Sequence, residues 1–92
     1  MSYKTFKDLE FTYDRNGKYS LLKFSNHYGV GVSNDFFSSL GGEMGLYQLV
    51  VLNERLDVIF NTPICEKPIG FLTEDEVTEI MIEIQNLPNK II

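Results

Sequence analysis

The spacing of hydrophobic residues divides this chain into a strand-rich first part and one helix near its C-terminal end. From residue 11 to residue 60, hydrophobic residues alternate with polar ones or form short apolar runs, as in strands. From residue 73 to residue 87 they recur every three or four positions, as on one face of a helix. The sequence therefore predicts an α+β fold, an antiparallel β-meander of about four to five strands with one C-terminal amphipathic α-helix packed on a sheet face.

Turn residues set the limits of the predicted strands. Asn16-Gly17 is the pair most typical of a tight hairpin, because both residues tolerate a positive φ. Asn26-His27 predicts a second turn, and residues 53–55 predict a third. Tight turns join antiparallel strands, so we expect a meander. The predicted strands are 11–13, 19–25, 28–32, 46–52 and 56–60.

The helix has clear start and stop signals. Thr73 and Glu76 have the spacing of a capping box, Leu72 and Val77 that of a hydrophobic staple, and Pro88 predicts the end of the helix. The predicted apolar stripe consists of Val77, Ile80, Met81, Ile84 and Leu87. One helix covers only one face of a sheet. We therefore expect loops or a second subunit to cover the other face, and we predict a homo-oligomer.

Glycines are concentrated between residues 28 and 45, which hold five of the seven in the chain. Gly29 and Gly31 are two residues apart in a predicted strand, so they leave one of its faces bare. We favour packing of the helix, or of an aromatic ring, on this bare face. The alternative is a flat platform for a ligand ring or for a partner's backbone.

The connection at residues 34–45 is long enough to suggest a function of its own. The spacing of Gly41, Gly42 and Gly45 fits neither a dinucleotide fingerprint nor a phosphate loop. Phe36-Phe37 either fill the core or anchor a partner. The predicted contact residues for a partner or ligand are Phe36, Phe37, Leu40, Gly41, Gly42, Tyr47 and Tyr28.

Length and composition indicate a single domain, residues 1–92. The apolar runs fall far below the ~18 residues of a membrane span, and no secretory signal is expected. Cys65 is the single cysteine, which favours a reduced, cytoplasmic protein. Five acids and no base lie between residues 73 and 87, and acids balance bases elsewhere, so the net charge is −5. Such a chain is not expected to bind nucleic acid directly.

The residues typical of catalytic sites do not occur together. His27 is the single histidine and has no second ligand at metal-binding spacing. Cys65 is followed by an acid, which disfavours a reactive thiolate. Ser38 and Ser39 lack the context of a nucleophile elbow. We therefore predict a non-enzymatic protein without a catalytic site, metal or cofactor.

Three segments share a pattern with other proteins: residues 26–33 (Asn-His-Tyr-Gly-Val-Gly-Val-Ser), residues 45–52 (Gly-Leu-Tyr-Gln-Leu-Val-Val-Leu), and residues 61–64 (Asn-Thr-Pro-Ile) followed by 69–77. Together they resemble a family of small, largely uncharacterised tailed-bacteriophage proteins. The departures from the family pattern are His27 for Gly, Gly31 for Ser, Gln48 for Glu and Asn61 for Asp. The resemblance, which extends from residue 26 to residue 87, implies a phage accessory protein that acts in the host cytoplasm.

Three functions fit these observations. The first is a small non-enzymatic phage accessory protein that binds and inhibits a host protein, either a defence or a regulatory factor. The second is a protein that sequesters a nucleotide signal, with Tyr28 or Tyr47 stacked on the base and the amides of Gly41 and Gly42 on the phosphate. The third is an acidic DNA mimic that uses helix carboxylates.

Overall fold

Residues 3–15, 17–35, 45–60, 62, 64 and 67–88 are described by the computed structural model of this protein. Among them, six strands form one antiparallel sheet and one α-helix follows, which confirms the predicted α+β fold. The elements are β1 (Thr12–Asp14), β2 (Gly17–Lys23), β3 (Gly29–Asp35), β4 (Tyr47–Leu52), β5 (Val58–Ile59), β6 (Ile69–Leu72) and α1 (Glu74–Gln85), with a 3₁₀ turn at Phe6–Asp8.

The sheet is a meander with one addition. Strands β1 to β5 pair in chain order, and β6 returns to pair with β4. β5 pairs with Val51 and Leu52 of β4, and β6 pairs with Tyr47 and Leu49 of the same strand. The two short strands therefore lie end to end along the edge of β4 that faces away from β3. β6 is not among the predicted strands, because a four-residue strand containing Gly70 has no alternation of polar and apolar residues.

The turns follow the predicted positions, with one difference in detail. Gly17 pairs with Asp14 and has a φ of 158°, so it is an extended residue of β2 and not a left-handed turn residue. His27 has a φ of 69° in the turn between β2 and β3, and Leu56 has a φ of 67° in the turn between β4 and β5. Neither side chain suits this left-handed conformation, which glycine adopts at no steric cost.

The helix begins with the predicted capping box. The Thr73 hydroxyl accepts a hydrogen bond from the Glu76 amide at 3.2 Å, and the Glu76 carboxylate accepts one from the Thr73 amide at 2.9 Å. These two bonds satisfy amide groups that have no partner within the helix. Val77, Met81 and Ile84 are fully buried, so the predicted stripe is the face that contacts the sheet.

The core lies between α1 and one face of the sheet. Val30 and Val32 of β3 pair with Val51 and Leu49 of β4, and all four belong to the same buried cluster as the helix stripe. Because side chains alternate along a strand, Gly29 and Gly31 face the opposite side. The helix therefore does not pack on the glycines, and that part of the favoured prediction is wrong; packing of an aromatic ring there stays a prediction. The helix needs an apolar surface to bury, and the valines of β3 supply it.

Asn26, in the turn between β2 and β3, ties this hairpin to the end of the helix. Its side-chain amide donates to the carbonyl of Ile84 at 2.8 Å and to that of Leu87 at 3.1 Å. Asn26 itself is buried. The last carbonyls of a helix have no partner within it, so this side chain acts as a C-terminal cap from a distant part of the sequence.

The N-terminal segment is held against the same helix. Gln85 exchanges two hydrogen bonds with the backbone of Lys4, both at 2.8 Å, and the Phe6 amide donates to the Thr78 hydroxyl at 3.1 Å. These bonds place the rings of Phe6 and Phe11 over one end of the core.

Candidate binding surface

Most of the predicted contact residues lie in the connection between β3 and β4. Phe36, Phe37, Leu40, Gly41 and Gly42 are outside the described residues. Their role in partner or ligand binding stays a prediction.

The structure places the two remaining candidates, Tyr47 and Tyr28, against the core. Tyr47 is only 6% exposed and lies with its ring centroid 5.0 Å from that of Phe6 and 6.0 Å from that of Phe11. Tyr28 is half-buried beside the same cluster. The Tyr47 ring therefore stabilises the fold by aromatic packing and offers no open face on which a base could stack.

The aromatic cluster also binds the protein's own lysine. The Lys18 ammonium lies 4.8 Å from the ring centroid of Phe11, 5.4 Å from that of Tyr47 and 5.7 Å from that of Tyr13. A hydrogen bond to the Tyr47 side chain raises the pKa of Lys18, against the opposing effect of its partial burial. This cation–π arrangement is filled from within the chain, so it serves packing.

The sheet face opposite the helix carries a shallow depression beside Gly31. We call the uncovered surface the glycine face; its centre is formed by Tyr19, Leu21, Gly31 and Val50. The depression has a volume of about 140 Å³ and is almost entirely apolar. A Cβ atom on Gly31 would lie 3.1 Å from Val50 Cγ2 and 3.4 Å from Leu21 Cδ2. The missing side chain at Gly31 therefore creates the depression.

A second exposed surface follows the outer edge of β4. We call it the aromatic edge; it consists of Val58, Phe60 and Phe71, which are all exposed. Val58 belongs to β5, Phe60 follows that strand directly, and Phe71 belongs to β6. The alternation at residues 56–60 was visible in the sequence, but alternation alone cannot show whether a face is covered.

Phe71 has an unusual backbone conformation within a β-bulge. Residues 70 and 71 lie opposite the single residue Gln48, because Tyr47 pairs with Leu72 and Leu49 pairs with Ile69. The φ of Phe71 is 59°, a left-handed conformation that costs a non-glycine residue about 1–2 kcal/mol. The side chain is nevertheless 56% exposed, so core packing does not account for the cost. No local pattern of residues predicts this strain.

A larger depression lies between the N-terminal segment and the start of the helix. It has a volume of about 310 Å³, at the lower limit for small-molecule sites. Its residues are Thr5, Phe6, Lys7, Glu74, Asp75 and Thr78. Two carboxylates against one lysine do not favour a phosphate ligand. This depression therefore does not suit a nucleotide phosphate, and the nucleotide hypothesis, which uses the amides of Gly41 and Gly42 outside the described residues, stays a prediction.

Comparisons with protein-family models, curated proteins and solved structures find no match to this chain. In the part of the chain that the structure describes, no three His, Cys, Asp or Glu side chains are grouped so that they could hold a metal ion. Over the same residues, no helix is both long and apolar enough to cross a membrane.

Proposed function

We propose that this chain is a small non-enzymatic protein that acts by binding another protein through its aromatic edge. The observation that supports this most strongly is Phe71, whose exposed ring is held on a strained backbone. Strained residues persist where the surrounding structure imposes them, and they are concentrated at functional sites. Exposed aromatic side chains are also the usual anchors of protein interfaces.

The short strands beneath the aromatic edge restrict how a partner can bind. β5 has two residues and β6 has four, and the β6 strand is interrupted by a bulge. Short and bulged edge strands resist pairing with strands of other molecules. The partner is therefore expected to contact the side chains of Val58, Phe60 and Phe71, and not to extend the sheet by backbone hydrogen bonds.

The identity of the partner is a finer proposal that depends on the sequence resemblance. If the chain is a phage accessory protein, the partner is a host defence or regulatory protein in the host cytoplasm, and binding inhibits it. The DNA-mimic alternative would use the exposed carboxylates of Glu76, Glu79 and Glu83 on α1. This alternative has less support, because no residue of α1 has a strained backbone like that of Phe71.

Replacing Phe71 by asparagine tests the role of the ring separately from the fold. Asparagine tolerates a positive φ, so we expect Phe71→Asn to leave the free energy of unfolding unchanged or to raise it by up to about 1 kcal/mol. The matched control is Leu56→Asn, which relieves the same backbone strain near the opposite end of β4.

The binding assay compares these two variants with the wild type in affinity purification from host lysate, followed by a Kd measurement with the purified partner. We expect Phe71→Asn to weaken binding at least about tenfold, as loss of an interface anchor does, and Leu56→Asn to bind normally. Equal recovery of the same partner by Phe71→Asn and by the wild type would show that the aromatic edge is not the binding surface.

A further inference from the structure

The glycine face is largely apolar and is exposed at Tyr19 and Leu21, whereas Leu52 and Gly29 at its other end are buried. In the described part of the chain, seven large hydrophobic side chains are exposed. Two of them, Tyr19 and Leu21, belong to β2 and point to the same side as Gly31, because Leu21 pairs with Gly31. Leu21 is 51% exposed and stands next to the depression. The face thus has one protruding side chain and one depression side by side.

The dimensions of the depression indicate what kind of molecule it can accept. Ligand sites usually have volumes of about 300–1,000 Å³, whereas this one has about 140 Å³. It has room for one side chain from a protein surface, but not for a nucleotide. A flat sheet face with a single small depression is suited to packing against a second sheet, since two sheets pack face to face at a separation of about 10 Å.

The distribution of charge permits two copies of this acidic chain to meet at the glycine face. The residues lining the depression are all uncharged. The five acids between residues 73 and 87 are exposed on α1, which packs on the other side of the sheet. Two copies joined through their glycine faces would therefore hold their acidic helices on the outside. Mutual repulsion, which a net charge of −5 would otherwise cause, is weakest in this orientation.

The area of the face limits how strong a dimer can be. β2 and β3 have seven residues each, which corresponds to about 24 Å at ~3.4 Å per residue. The neighbouring strands are shorter, with three residues in β1 and two in β5, so at ~4.8 Å per strand the footprint of β1 to β5 is roughly 410 Å² per copy. Stable specific interfaces begin at about 600 Å² per partner, and weak, transient ones are smaller. This area fits a weak, reversible dimer.

We propose that a second copy of this chain docks on the glycine face around a twofold axis. In such an arrangement each copy presents the same surface. Leu21 of each copy therefore enters the depression at Gly31 of the other copy. Val58 of the aromatic edge lies on the same side of the sheet, because it pairs with Leu52, which pairs with Gly29. A second copy on the glycine face and a partner at the aromatic edge would therefore compete for this end of the face. This inference does not depend on the proposed function, and either one can fail without the other.

Sedimentation velocity over about 1 to 500 µM protein tests the dimer at concentrations suited to a weak, reversible association. We expect the wild type to change from monomer to dimer with rising concentration. Leu21→Glu introduces a charge at the centre of the face and should stay monomeric throughout. The matched control is Tyr13→Glu, which adds the same charge at a side chain that is 72% exposed on the side of Lys18; it should dimerise like the wild type.

Two further results decide where the copies meet. On dilution of labelled wild-type protein, amide NMR shifts should change at residues 19, 21, 31 and 50. Gly31→Ala, which partly fills the depression without adding charge, should also raise the dimer Kd at least about threefold. A wild type that stays monomeric at all concentrations would overturn the proposal. So would equal loss of dimer in Leu21→Glu and Tyr13→Glu, or shift changes confined to the aromatic edge.

Discussion

Substitution of Asn26 by alanine should destabilise the protein far more than its position in a turn suggests. The change removes an amide that donates to two carbonyls at the end of α1, 58 and 61 residues further along the chain. Each bond contributes about 0.5–1.5 kcal/mol. The Ile84 carbonyl keeps a second donor, the Leu87 amide at 3.1 Å. The Leu87 carbonyl loses the donor that Asn26 provides, and a buried carbonyl left without a donor costs about 1–3 kcal/mol. We expect Asn26→Ala to lower the free energy of unfolding by about 2–4 kcal/mol.

This loss is a large part of the total stability. A chain of this length has an unfolding free energy of roughly 5–14 kcal/mol, so the variant should melt roughly 10–25 °C below the wild type. Urea unfolding monitored by circular dichroism gives the free-energy difference directly, provided that the slope with denaturant stays unchanged.

Asn53 offers a matched control in the next hairpin turn. Its side-chain oxygen accepts two hydrogen bonds, from the Arg55 amide at 2.8 Å and from the Asp57 amide at 2.9 Å. These bonds are local and exposed, so Asn53→Ala should cost about 1 kcal/mol or less. If Asn26→Ala costs no more than Asn53→Ala, the bonds to the helix do not contribute the stability assigned to them here.

Three other substitutions should change stability in defined directions. Gly29→Ala should destabilise by about 1–3 kcal/mol in urea unfolding, because its Cβ would lie 2.7 Å from the backbone oxygen of Leu22; a neutral result would contradict the close approach. Ser20→Ala should be neutral or stabilising by thermal melting, since the buried Ser20 hydroxyl has no partner among the described residues. The hydrogen bond to Tyr47 raises the pKa of Lys18 above its ordinary 10.5. The contribution of the charged Lys18 to the free energy of unfolding is therefore complete below pH 10.5 and is lost as pH rises through the folded-state pKa. Lys18→Met should therefore show a smaller loss of stability above pH 10.5 than the wild type, and identical pH profiles would contradict this.

Local sequence signals were sufficient to predict the elements whose structure depends on residues close together in the chain. The capping box at Thr73 and the alternation in β3 each depend on neighbours in the sequence, and both are confirmed. The side of the sheet that the helix covers is a long-range property. The bare side of Gly29 and Gly31 was expected to receive the helix or an aromatic ring, whereas the helix packs on the buried side chains of Val30 and Val32.

The candidate surfaces were harder to predict for the same reason. Tyr47 begins an apolar strand and could not be recognised as buried without knowing that Phe6 returns to cover it. Phe71 is strained because β6 pairs with β4 through a bulge that contains one extra residue. No local sequence pattern predicts that pairing. Most of the predicted contact residues lie outside the described residues, so that part of the prediction stays untested.

The long-range cap at Asn26 has a consequence for the order of folding. The hairpins of β1 to β4 join residues that are close in sequence, so they can form early. The carbonyl of Leu87, in contrast, becomes available to Asn26 only after residue 87 has been synthesised, 61 residues after Asn26. On the ribosome the sheet would therefore exist first with one apolar face open and its asparagine unpaired. During that interval, a chaperone that shields the Val30 side of the sheet would protect the protein from aggregation.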